Sequence, residues 1–325
     1  MPRRLRSLLR LALLGTGAFL LALAPMLAWY VEPRVKLTPT DINVTSVMSG
    51  RGSYFDTGSG VTARNREITI TRRVVGDVSD STRSGDAVWD VSTTIDTPKT
   101  LPLGDPRKSL RWTVARWVGD RRTNRPVHCC GETPAFTGEA YLKFPFDVRK
   151  RTYLWWEETL GAAVPLRFAG TESVLGQEGY RFTGTVRPTK TGTRQVPGAL
   201  VGRPKQSQVA AEQWYANAGI TLVVEPRTGG VLEASIAPRV TLRAPGGGRD
   251  RVTLLQSDRL TFTPATRRAA VSRAASVSGQ LRLIGETAPL TAAVIGAPLA
   301  VIGLVLLVRA GGRRPDDVSA SASSG

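Results

Sequence analysis

The residues best suited to chemistry stand in one short run, Val127-His128-Cys129-Cys130-Gly131-Glu132. Cys129 and Cys130 are the only cysteines, so they bridge each other, bridge another chain, or stay reduced. Neighbouring Cα atoms lie about 3.8 Å apart, below the roughly 4.4–6.8 Å usual for a disulfide. The pair is read as a vicinal bridge serving as a rigid turn, with two buried thiols as the alternative. His128 beside them suggests a metal, but adjacent cysteines present both sulfurs poorly to one tetrahedral ion, so no metal or other cofactor is expected. His128 is also the only histidine, and no nucleophile elbow accompanies it. Glu157 and Glu158 are neighbours, so on a strand they face opposite ways and do not form a catalytic pair by themselves. These types and spacings do not predict an enzyme.

A second stretch suits binding. Lys143, Phe144 and Phe146, then Arg149, Lys150, Arg151, Tyr153, Trp155 and Trp156, interleave aromatic and basic side chains within fourteen positions. Dense aromatic runs ordinarily build core. The sharper reading is an apolar cleft flanked by Lys143, Arg149, Lys150 and Arg151, suited to a ligand with an acyl chain and an anionic head.

The elements that must carry these residues begin with two apolar runs. Residues 11–30 hold no charge and follow Arg3, Arg4, Arg6 and Arg10, and residues 288–308 are likewise uncharged and precede Arg309, Arg313 and Arg314. About 20 apolar residues span a bilayer as a helix. Ala22-Leu23-Ala24 resembles a signal cleavage site, but Pro25 follows it and the run continues to Tyr30, which favours a retained anchor. Basic flanks stay in the cytoplasm, so both termini are expected there, with the intervening chain outside the plasma membrane, where an oxidising setting permits a disulfide. The expected division is a basic N-terminus 1–10, a span 11–30, a β-rich domain 31–264, a solvated helical stalk 265–287, a span 288–308 and a disordered cytoplasmic tail 309–325.

The chain has 44 Lys and Arg against 26 Asp and Glu. Setting aside the seven basic residues of the two ends, with Asp316 and Asp317, leaves 37 against 24, a surplus of 13. Such charge favours anionic partners, here lipid head groups or acidic wall polymers. The scattered placement and the outward orientation argue against nucleic acid.

Between the spans the period is two. Ile68 and Ile70 alternate with Thr69 and Thr71, and Trp89, Val91, Thr93 and Ile95 alternate with polar residues after a polar loop. Leu110, Trp112 and Val114 continue the pattern, and Tyr180 to Val186, Ile220 to Ser235 and Val240 to Leu255 read as strands joined by Gly/Pro turns. This is the signature of a mainly antiparallel β domain with some helix. Its strands read as short, and its size allows two subdomains divided near Gly161.

The runs Cys-Cys-Gly-Glu at 129–132 and Lys143 to Trp156 resemble an actinobacterial family of membrane proteins, domain of unknown function 3068, often labelled porin PorA. Gly52 to Asp56, Val88 to Val91, Val196 to Gly198, Val224 to Pro226 and Leu242 to Gly246 add to the resemblance, which covers nearly the whole chain. The label implies a pore. A β-barrel pore needs many strands with an apolar lipid-facing row and does not need two apolar helices, so the residues favour a tethered lipid- or polymer-binding module. The alternatives are a structural or assembly subunit of the envelope, a porin, and a hydrolase using His128.

Overall fold

The computed structural model describes residues 3–100 and 111–311. Leu110 and the tail beyond Gly311, both included in the expectations above, lie outside the described residues. The chain forms two compact units, residues 37–278 and the two ends, 1–36 with 279–325.

In the terminal unit, α1 (Arg3–Pro25) passes into a π-helical segment (Met26–Val31) and the short α2 (Glu32–Val35), while α5 (Ala288–Gly311) follows a second π-helical segment, Leu283–Thr287. Both long apolar helices suffice in length and composition to cross a membrane. They pack through small residues. A Cβ added at Gly17 would lie 2.3 Å from the Ala300 backbone nitrogen, and one at Gly303 would lie 2.6 Å from that of Leu14. Close backbone approach through glycine is how apolar helices associate where water supplies no driving force.

The larger unit is built on one antiparallel sheet. Its strands are β1 (Asn43–Asp56), β2 (Val61–Gly76), β3 (Ala87–Asp96), β4 (Arg111–Gly119), β5 (Tyr153–Glu157), β6 (Ala162–Val174), β7 (Gln177–Pro197), β8 (Gln208–Val224), β9 (Val231–Arg243), β10 (Asp250–Ser257) and β11 (Leu260–Phe262). They run in the order β4-β3-β2-β1-β10-β9-β8-β7-β6-β5, with β11 bridging β1 and β9. Local chemistry sets the connections. Asp56 accepts from the Gly58 nitrogen at 3.1 Å, and Gly60 turns the chain at φ +70°, which closes the β1–β2 hairpin.

Three expectations change here. The polar loop before β3 contains a helix, α3 (Val78–Ser84), capped by Asp77 accepting from the Asp80 nitrogen and ended by Gly85 at φ +82°. The strands are long, up to the 21 residues of β7, because polar stretches such as Arg187 to Gln195 alternate along a paired strand instead of breaking it. The sheet also runs unbroken past Gly161, which at φ +68° merely turns β5 into β6.

The expected stalk is different too. The part of α4 (Pro264–Arg282) within this unit buries Thr266, Ala270, Ala274 and Ser278, one face at a four-residue spacing. Ser278 donates to Glu225 Oε1 at 3.0 Å, and Glu225 also accepts from the Thr228 nitrogen at 2.7 Å. Arg267, expected in solvent, pairs with Glu233.

Candidate functional site

Inward residues along the strands leave a hollow of about 830 Å³. Its walls follow the strand period. Ile70, Arg72 and Val74 of β2, Trp89, Thr93 and Ile95 of β3, and Gln213, Tyr215 and Asn217 of β8 all line it. A register shift between Asn217 and Ile220 moves the inward phase of β8 from odd to even positions, so that Ile220 and Leu222 continue the wall. Ala270, Ala274 and Val277 of α4 line it as well. Most of the wall is aliphatic or aromatic.

Its polar groups gather around the β5–β6 turn. Arg72 Nη2 donates to Glu158 Oε2 at 2.9 Å, Thr93 Oγ1 lies 3.3 Å from the same oxygen, and Thr113 donates to Oε1. Arg111 donates to Thr159 Oγ1 at 3.3 Å. These contacts join β2, β3 and β4 to the far end of the sheet and curl it around the hollow. Burial works to raise the Glu158 pKa, but Arg72 and the Thr113 hydroxyl outweigh it and hold the carboxyl below its usual value. Glu157, the last residue of β5, also lines the hollow, accepting from the Tyr215 hydroxyl at 2.8 Å, and burial raises its pKa. The two neighbours do not face opposite ways as a strand would require, because Glu158 stands in the turn beyond the last residue of β5 and both reach the hollow.

The aromatic and basic run divides between wall, core and surface. Lys143, Phe146, Trp155 and Trp156 line the hollow. Phe144 and Tyr153 do not. They are buried in the main core, with the Phe144 ring 4.9 Å from Phe182 and 5.1 Å from Tyr153, because the loop before β5 turns them behind the wall. Arg149, Lys150 and Arg151 are exposed and lie outside the hollow. Arg151 forks onto Glu139 at 2.9 and 3.1 Å and stacks over Tyr153 at 3.9 Å, while the Lys150 ammonium sits 5.3 Å from the Tyr180 ring. Of the four cations expected to flank a cleft, Lys143 alone faces it.

Lys143 is half-buried and lines the hollow, and its ammonium donates to Thr38 Oγ1 at 3.4 Å. Its ammonium lies 4.1 Å from the centre of the Phe146 ring. Among the described residues no carboxylate pairs with it, and burial pushes its pKa down to about 7.

Cys129 and Cys130 are joined as a vicinal disulfide. Cys130 has φ +57° and Gly131 φ +78°, and the Cys130 carbonyl accepts from Arg116 Nε at 2.9 Å. Arg116 also pairs with Asp77, Asp80 and Asp90, so the cysteine turn docks on a charged cluster away from the hollow. His128 is exposed, its Nδ1 lying 2.6 Å from Glu132 Oε2. Among the described residues no three His, Cys, Asp or Glu side chains gather as a metal site.

Reading the sequence for runs missed Arg72, Tyr141 and Tyr215. Arg72 did leave a signal, since it occupies the apolar phase of a strand between Ile70 and Val74, where a charge needs a partner or a function. Tyr141 and Tyr215 look like ordinary strand or loop aromatics until the chain is folded.

No curated protein matches the chain. The porin PorA family description matches residues 9–305, from the first apolar helix through the β domain into the second, and the chain belongs to that family.

Proposed function

We propose that the β domain is a non-catalytic binding module, tethered to the plasma membrane on its outer side, that holds an amphiphilic lipid or the lipid-like end of an envelope polymer. The hollow carries this reading. At about 830 Å³ it falls within the range of roughly 300–1,000 Å³ typical of small-molecule sites, which are apolar with a few placed polar groups. Each Å² of acyl chain it takes from water contributes about 25 cal/mol. The basic flanks of the two apolar helices support cytoplasmic termini and an external domain.

The family label would suggest that the strands themselves form a pore. Arg187 and Lys190 stand exposed along β7, and charges on the lipid face of a barrel cost about 2–4 kcal/mol each at the bilayer midplane. These residues favour a water-exposed outer surface.

The test is mass spectrometry of lipids retained by the full chain in mild detergent. The wild type is compared with Ile236→Trp and Met48→Trp, which fill the hollow from β9 and β1. A lipid that remains with the wild type and is lost from both filled variants supports the reading. Equal lipid content in all three refutes it, since that lipid belongs to the helices.

A further inference from the structure

The hollow is apolar over most of its wall, yet it holds six basic residues, Arg72, Lys99, Arg111, Lys143, Arg194 and Arg273, against the acidic Asp56, Glu157 and Glu158. The three acidic groups are engaged from within. Glu158 takes Arg72, Asp56 takes Lys99, and Glu157 takes the Tyr215 hydroxyl. Arg111 has Thr159, and Arg194 and Arg273 are exposed and reach water. Among the described residues that leaves Lys143 as the cation set inside the domain, turned to the hollow, with only a distant hydroxyl and an aromatic face for company.

Two further donors belong to the wall. Tyr141 and Trp156 both line the hollow, both are at least nine-tenths buried, and among the described residues the Tyr141 hydroxyl and Trp156 Nε1 have no hydrogen-bond partner. Both rings pack on Phe136, with centroids 5.0 Å away in each case, and the Tyr141 ring lies 5.8 Å from the Arg72 guanidinium. Neither donor atom is open to the space of the hollow, which leaves the Lys143 ammonium as the group that meets a ligand's charge.

We infer that the hollow selects an amphiphile whose head is an anion, a carboxylate or a phosphate, and that Lys143 receives that head. The inference rests on the hollow being a ligand site and adds the charge of its ligand. A cationic head would meet Lys143 and the surplus of basic groups, while a hydroxyl head would leave the ammonium uncompensated.

The experiment uses the full chain in phosphatidylcholine nanodiscs and palmitoyl-length probes that carry a diazirine in the chain. Their heads are carboxylate, phosphate, hydroxyl or trimethylammonium. Labelled peptides are mapped, and half-saturation is read for those that line the hollow, such as the one bearing Ile236. The anionic probes are expected to saturate at about tenfold lower concentration than the other two, the better of the pair telling carboxylate from phosphate. Lys143→Met should abolish the difference. A sulfonate-headed probe, charged throughout, should weaken in the wild type as pH rises past about 7, where Lys143 loses its proton.

Equal saturation by all four heads overturns the anion preference while leaving the hollow as a binding site. A preference unchanged in folded Lys143→Met, or a sulfonate affinity flat in pH, removes Lys143 as the receiving group. Failure of every probe to label the wall overturns the binding-module reading itself.

Discussion

Arg72 and Glu158 stand 86 positions apart in sequence and 2.9 Å apart in space. Through this pair the second strand holds the turn after the fifth, which lies at the opposite end of the sheet. Thr93 and Thr113 bring the third and fourth strands to the same carboxylate. The curvature that makes the hollow is thus secured by one acidic side chain facing several donors.

Removing one member of such a pair leaves the other charge desolvated. Glu158→Gln or Arg72→Met is expected to lower stability by about 3 kcal/mol, and the combined Arg72→Met/Glu158→Leu protein should lose much less than the sum. Chemical denaturation followed by tryptophan fluorescence checks this. Strictly additive losses would show that the pair does not act as a unit.

Lys143 ties stability to pH. Its pKa is near 7 in the fold and 10.5 when free, so between those values the unfolded chain holds the extra proton and stability rises with pH. The penalty for the buried charge is complete below about 7. Lys143→Met should be more stable than the wild type near pH 6, with the gap closing by about pH 10. Parallel pH profiles for the two proteins would contradict this.

Helix α4 is held to the β domain by the Ser278–Glu225 hydrogen bond and its alanine face. Ser278→Ala is expected to cost about 1 kcal/mol and to speed amide exchange over residues 264–278. Unchanged exchange there would mean that the alanine packing alone fixes the helix.

Orientation is open to a labelling test. In a cysteine-free background, a reporter cysteine at Gly247, in the β9–β10 turn, should react with an impermeant reagent on intact cells, and one at Ser321 should not. The reverse pattern would place the binding domain inside.

The bridge between Cys129 and Cys130 predicts that intact mass rises by about two units on reduction. Alkylation of both thiols without a reductant would exclude the bridge in the isolated protein.

Several features were legible in the sequence because their physics is local. Twenty uncharged residues beside arginines specify an apolar helix whatever the rest of the chain does, and strict alternation around Ile68, Ile70, Trp89 and Val91 specifies strands with two unlike faces. The packing of α4 was not legible, since alanines at every fourth position are too weakly apolar to announce a buried face. Nor was the division of the aromatic run, because Phe144 and Trp155 differ in no local property, and the fold of the loop before β5 sends one into the core and the other to the wall. Tertiary structure alone decided that Arg72 would find Glu158 and that Lys143 would find no carboxylate among the described residues. Both outcomes depend on how far the sheet curls, which is set by strand pairing and twist summed over more than two hundred residues.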